Sequence, residues 1–194
     1  MKALILAGGE NKRIPVIKGF LEIKGRRIIE SNVELLKEIF DCVIISTNNP
    51  ECYFYLGVPM VGDIVKYRGP MTGLLSALIT LEAPEIFVTA CDMPFIKPEL
   101  IRYIVDRWEK RWDAVIPIFD SKSQPLLAIY SKKVVPKMED SIRKGMRGLR
   151  EFLKKIEVLY IGEDKVRAID PEGRSFVNIN TVEDYERERL TVSS

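Results

Sequence analysis

The chain has 194 residues, 46% of them hydrophobic and 30% charged. A chain of this size buries roughly 70% of its unfolded surface, so it folds without staples, and this composition excludes long disorder. With 30 Lys and Arg against 28 Asp and Glu the net charge is +2, which provides no global field for nucleic acid or an anionic membrane. There is no His. Ser-His-Asp and Cys-His catalysis and His-bound zinc are therefore excluded, and chemistry must run on carboxylates, Lys, Arg, backbone amides and a metal held through oxygen.

Lys2 to Ala7 is a short apolar run stopped by Gly8-Gly9, the pattern of a buried strand entering a turn. The run is too short for a signal peptide or a membrane span. Arg27 to Phe40 has helical spacing, with Ile28, Ile29, Val33, Leu36 and Ile39 or Phe40 on one face. Cys42 to Ser46 is a second buried strand, followed by the loop Thr47-Asn48-Asn49-Pro50, and Val58 to Val61 is a short strand. Gly69-Pro70 sets up a helix over Thr72–Leu81. Ile86 to Cys91 is a third buried strand, broken by Asp92-Met93-Pro94. Pro98 suits the first turn of a helix over Lys97–Lys110, and Ala114 to Ile118 is a further strand.

The last third is less regular. It predicts strands at Pro125–Tyr130 and Glu157–Tyr160, helices at Val134–Arg143 and Gly148–Lys155, and a closing helix over Glu183–Leu190 after the start signal Asn180-Thr181. No linker or repeat interrupts the chain, so residues 1–190 are expected to form one domain and 191–194 a frayed tail. The alternation of strands and amphipathic helices implies βαβ units. The expected fold is a three-layer α/β architecture, Rossmann-like, with a mostly parallel central sheet and helices on both faces. Cys42, Cys52 and Cys91 are odd in number and form no CxxC, which fits the reduced cytoplasm, and Cys42 and Cys91 read as small core residues.

Ligands of such sheets bind at the carboxyl ends of the strands, which directs attention to the turns after Ala7, Ser46 and Cys91. Gly8 and Gly9 let backbone N–H groups approach phosphate oxygens, and Lys12, Arg13 and Lys18 follow them. The pattern is neither GxGxxG nor a P-loop, and an ordinary turn with solvated cations fits it about as well. Asp92 ends the most apolar strand and suits either a Mg²⁺ shared with phosphate oxygens or a turn cap. Gly62-Asp63 and Arg68-Gly69-Pro70-Met71-Thr72-Gly73 form a glycine-rich entry to a helix, either a plain tight turn or the wall of a base pocket. There Asp63 could accept the N1–H and N2–H₂ donors of a guanine. Asn178 and Asn180 alternate onto one face of an extended segment, where Asn180 can be a site residue, a helix cap or both.

Taken in order, Leu-Ala-Gly-Gly, Arg13, Lys18, Gly-Pro-x-x-Gly-Leu, Cys91-Asp92-Met93-Pro94-Phe95, Gln124-Pro125-Leu126 and Asn178-Ile179-Asn180-Thr181 resemble the molybdenum cofactor guanylyltransferase family of Rossmann-like nucleotidyltransferases. The resemblance runs from Leu6 to about Asp184. It implies transfer of GMP from GTP to the terminal phosphate of molybdopterin with Mg²⁺, release of pyrophosphate, and contacts with other cofactor-biosynthesis proteins. By the same resemblance, Leu6, Ala7, Gly8 and Gly9 meet the nucleotide, and Lys18 and Arg13 meet its phosphates. Ser46 and Asn48 fall where a base-contacting Asn is common, and Asp63, Gly69 and Gly73 line the GTP site. Asp92 is the metal ligand and catalytic carboxylate. Gln124, Asn178 and Asn180 face the acceptor or a second metal position. The chain departs from the family loop at Pro15, where glycine is usual, and at Ile17, where Asp is usual. A relative that uses another nucleotide or acceptor, or a nucleotide-binding protein without turnover, remains the alternative reading.

Overall fold

The computed structural model describes residues 1–8 and 17–193, with side chains through Thr191. Its strands are β1 (Lys2–Leu6), β2 (Glu22–Ile23), β3 (Arg26–Arg27), β4 (Val43–Ser46), β5 (Met60–Val61), β6 (Glu85–Ala90), β7 (Ala114–Phe119), β8 (Lys122–Ser123), β9 (Ala128–Ser131) and β10 (Val158–Ile161). Its α-helices are α1 (Ile28–Lys37), α2 (Pro70–Thr80), α3 (Pro98–Asp106), α4 (Val135–Arg143), α5 (Leu149–Phe152), α6 (Glu163–Ile169) and α7 (Val182–Ser193).

The period-2 alternation of the strands builds the layers. Ala3 and Ile5 of β1 face one side, where Ile29, Val33 and Leu36 of α1, Leu100, Ile101 and Ile104 of α3 and Val166 of α6 cover them. Leu4 and Leu6 face the other, against Leu74, Leu75 and Leu78 of α2, Met138 and Ile142 of α4 and Phe152 of α5. All of these side chains are almost wholly buried, and each of the larger ones contributes about 1.5–3 kcal/mol relative to exposure. The result is the expected three-layer sandwich.

The sheet order is β5-β4-β1-β6-β9-β7-β10, with β8 paired to β7. β1 runs parallel to β4 and β6, β4 to β5, and β7 to β10, whereas β9 is antiparallel to both β6 and β7. The chain leaves β1 for β4 and β5 on one side, then returns to place β6 on the other side of β1. This change of direction opens a crevice at the carboxyl ends of β1 and β6.

Some boundaries differ from the sequence expectation. α2 starts at Pro70, two residues before Thr72, because Gly69 makes the turn at φ 138° and Pro70 needs no N–H donor in the first turn. α3 stops at Asp106 instead of Lys110. α7 continues through Ser193, past the Leu190 at which the sequence suggested a tail. The β2–β3 hairpin, β8 and α6 had no periodic signal. A small cluster of Leu21, Ile23, Ile28 and Ile179, with Phe95 and Tyr185 against it, ties that hairpin to α7.

Candidate functional site

A cavity of about 500 Å³ opens at the carboxyl ends of β1, β4 and β6. Leu6, Ala7, Gly8, Lys18, Ser46, Asn48, Asp63, Gly69, Gly73, Asp92, Asn178 and Asn180 all line it. Gln124 lines a neighbouring cavity of about 360 Å³ that shares Pro70, Leu126 and Asn178 with the first. Gly9 and Arg13 lie outside the described residues.

The polar floor is built from three segments distant in sequence. Lys18 opens a 3-10 turn, Lys18–Phe20, seated on the end of β6; a Cβ on Gly19 would lie 3.2 Å from Ile29 Cβ and 3.4 Å from Cys91 Cβ. From there Lys18 Nζ donates to Asp92 Oδ2 at 3.1 Å and to Asn180 Oδ1 at 2.6 Å. Asp92 follows β6, and its carbonyl accepts the Ile179 N–H at 2.9 Å, which draws the segment carrying Asn178 and Asn180 across the crevice. Asn178 Nδ2 donates to Phe176 O at 2.9 Å.

Neither Asp92 nor Asn180 caps a helix among the described residues. Asp92 caps no helix, because α3 begins only at Pro98 and its carboxylate meets Lys18. Asn180 is not the cap of α7. Asp184 Oδ2 accepts the N–H groups of Asn180 and Thr181 at 3.1 Å each, and Thr181 Oγ1 accepts the Asp184 N–H at 3.1 Å. Thr181 and Asp184 thus form the reciprocal cap and leave the Asn180 amide to Lys18. Burial and the adjacent Asp92 carboxylate push the Cys91 thiol up to about 12, so it stays protonated and is no nucleophile at neutral pH.

At the other end, Asn48 and Asp63 form a closed pair. Asn48 Nδ2 donates to Asp63 Oδ2 at 2.7 Å, and the Asp63 N–H donates to Asn48 Oδ1 at 2.9 Å. This fixes the carboxylate and engages one of its oxygens. Close approach of α2 to β4 requires Gly73: a Cβ there would stand 2.7 Å from Ser46 Oγ and 3.1 Å from Leu6 Cδ2. Arg68, part of the glycine-rich entry read from sequence, also lines the cavity, as do Thr47, Asn49 and Tyr53, for which the sequence analysis named no role. Thr47 and Asn49 had a usable signal, their place beside Asn48.

An α/β sheet with this topology and a cavity at its switch point defines a nucleotidyltransferase fold of the Rossmann-like kind. A family model described as the MobA-like NTP transferase domain matches residues 3–159. The chain belongs to that family, and its relatives place it with the molybdenum cofactor guanylyltransferases. It is 35% identical over 187 residues to a probable molybdenum cofactor guanylyltransferase of Pelotomaculum thermopropionicum, covering 96% of this chain and 91% of the relative. It is also 35% identical over 188 residues to a molybdenum cofactor guanylyltransferase of Syntrophotalea carbinolica, covering 96% and 90%. The crystal structure of molybdopterin-guanine dinucleotide biosynthesis protein A from Archaeoglobus fulgidus superposes with a TM-score of 0.83 at 31% identity, over 100% of this chain and 99% of that one. Among the described residues no helix is long and apolar enough to cross a membrane.

Proposed function

We propose that the protein transfers GMP from GTP to the terminal phosphate of molybdopterin, with Mg²⁺, forming the guanine dinucleotide cofactor and pyrophosphate. The observation that carries this reading is the convergence of Lys18, Asp92 and Asn180 at one end of a cavity whose other end holds the Asn48–Asp63 pair. The names of the relatives supply the reaction class. The separation of a cationic end from a hydrogen-bonding end suits a ligand with phosphates at one side and a base at the other.

In this reaction an acceptor phosphate oxygen attacks the α-phosphorus, and the bond to pyrophosphate breaks. The nucleophile is already an anion, so a chain without His needs no general base. Lys18 would neutralise charge on the α-phosphoryl oxygens and the leaving pyrophosphate, and the backbone at Ala7 and Gly8 would lie along the triphosphate. Among the described residues no atom lies within 4 Å of a Cβ built on Gly8. Asp63, held by Asn48, keeps one oxygen for a donor of the guanine edge.

The residues present fit Mg²⁺. The Lys18 ammonium sits where Asp92 Oδ2 and Asn180 Oδ1 already accept a cation, and both are the hard oxygen donors this metal takes. Among the described residues there is no group of three His, Cys, Asp or Glu, so most ligands would come from phosphates and water. Asp92 would hold the ion, with Asn180 or Asn178 beside it, and the bound ion supplies charge neutralisation on phosphate oxygens. Gln124, in the neighbouring cavity, would meet the acceptor.

The test is a panel of GTP, ITP, ATP and CTP with Mg²⁺, read first by thermal stabilisation and then by pyrophosphate release with molybdopterin. GTP should stabilise the protein most, by about 2.7 kcal/mol at 100-fold over its Kd. Equal stabilisation by CTP, or release of pyrophosphate only with CTP, would overturn the guanine reading. Tight GTP binding without any turnover would point to a binding protein.

A further inference from the structure

Arg147 sits in the loop between α4 and α5 and lines the smaller cavity with Gly148, Leu149 and Arg150. Its Nη1 donates to the carbonyl oxygens of Ile142 at 2.9 Å and Met146 at 2.8 Å, which satisfies the C-terminal turn of α4. Both hydrogens of Nη1 are thereby used. Among the described residues no carboxylate pairs with this guanidinium, and its Nε and Nη2 have no protein acceptor. The Nε–Nη2 edge is the two-pronged edge that matches two oxygens of a phosphate.

One face of the same guanidinium is covered. Its Cζ lies 3.9 Å from the ring centroid of Tyr67. Tyr67 is 45% exposed, so core burial does not explain its place. A ring on the face of a guanidinium restrains the plane and leaves the in-plane donors open. Tyr67 is carried on the loop that enters α2, and three other residues of that loop, Asp63, Arg68 and Gly69, line the larger cavity. The ring is therefore a physical link between the walls of the two cavities.

We infer that Tyr67 is a positioning residue that holds Arg147 ready for the phosphate of the acceptor, and that it ties acceptor placement to the loop that meets the nucleotide. The inference rests on the proposed function in taking the acceptor to be a phosphate ester. Pre-setting the guanidinium removes part of the ordering cost of binding, so the effect falls on acceptor affinity. Phe keeps the ring face; Leu and Met keep the bulk and lose it.

The experiment has two arms. In the first, the Arg147 Nε–H resonance, assigned by its loss in Arg147→Lys, is followed while inorganic phosphate is added. Wild type and Tyr67→Phe should respond alike, and Tyr67→Leu and Tyr67→Met should need roughly three- to tenfold more phosphate. In the second, steady-state transfer should show the acceptor KM rising by the same factor in Tyr67→Leu, with the nucleotide KM within about twofold and Tyr67→Phe unchanged. Absence of any phosphate response at Arg147 in the wild type, an equal response in Tyr67→Leu, or a rise confined to the nucleotide KM would each overturn the inference. A wild type that transfers nothing, yet shows the phosphate response and its dependence on the ring, would remove the proposed reaction and leave the Tyr67–Arg147 device standing.

Discussion

Lys18 and Asp92 meet at 3.1 Å, Nζ on Oδ2, across 74 residues of sequence. Both are partly buried, with side-chain exposures of 23% and 14%. The pair is shielded enough to be held and open enough to exchange one partner for a ligand.

Asp92→Asn keeps the size of the side chain and removes its charge. Transfer should fall by about 10²–10³, and the Mg²⁺ concentration needed for half-maximal rate should rise. The melting temperature should stay near that of the wild type, because the carboxylate borders the cavity. Retention of most of the Mg²⁺-dependent rate would remove Asp92 from the metal role.

Lys18→Ala should slow transfer by a similar factor of about 10²–10³ and weaken triphosphate binding. Lys37, exposed at the end of α1, is the control, and Lys37→Ala should stay within about threefold of wild type. Equal losses in the two variants would describe a diffuse basic patch.

Asp63→Asn tests base selection. Its carboxylate is fixed by Asn48, so the variant should lose much of the preference for GTP over ATP and CTP, by about tenfold or more in competition binding. ITP lacks the 2-amino group, and it should lose less in the variant than in the wild type. An unaltered ranking of the four nucleotides would assign base reading to other groups.

Gly73→Ala should cost about 1–3 kcal/mol, because its Cβ would press on Ser46 Oγ at 2.7 Å and move α2 outward. Removing the hydroxyl with Ser46→Ala should recover part of the loss in the double variant. Urea titration of the four proteins gives the coupling directly. Simple additivity would mean that α2 yields elsewhere.

Asp170 gives the pH prediction. It is fully buried; burial alone would raise its pKa, but the Ser175 N–H at 2.8 Å and the Lys97 ammonium at 3.2 Å outweigh this and hold it below the usual carboxylate range. A folded pKa below the unfolded one contributes stability that is present above about pH 4 and is lost as pH falls through the folded value. Asp170→Asn should therefore be less stable by about 3 kcal/mol at pH 7, and the gap should narrow progressively as pH falls below about 4. A gap independent of pH would assign the loss to packing.

The sequence made the layers legible because periodicity reports burial. Ala3 and Ile5 alternate with Leu4 and Leu6, and α1, α3 and α4 each carry an apolar stripe, while α2 is buried on nearly every side. Strand direction is a different matter. Ala128–Ser131 has the same buried pattern in either orientation, and only the pairing Glu85↔Ser131 to Val88↔Ala128 reveals that β9 runs against β6. The helix α6 escaped notice because just one of its residues, Val166, is buried. Of the site, the glycines, Lys18, Asp92 and both asparagines could be named from their types and the family pattern. Their mutual contacts could not, since they depend on how far apart segments cross. The Thr181–Asp184 cap, which frees Asn180, is written locally as Thr-x-x-Asp, the partner of the Asn180-Thr181 start signal.

The bridge from Lys18 to Asn180 spans 162 residues. At a synthesis rate of 5–20 residues per second, roughly 8–30 s separate the emergence of the lysine from that of its amide partner. During that interval β1, β4, β5 and β6 can already pair, while the crevice between them still lacks its far wall. A chain caught on the ribosome at that stage would carry a sheet and a lysine but no completed pocket. Maturation thus orders assembly before chemistry, and the enzyme's onset is timed by the arrival of a segment that follows every strand of the sheet.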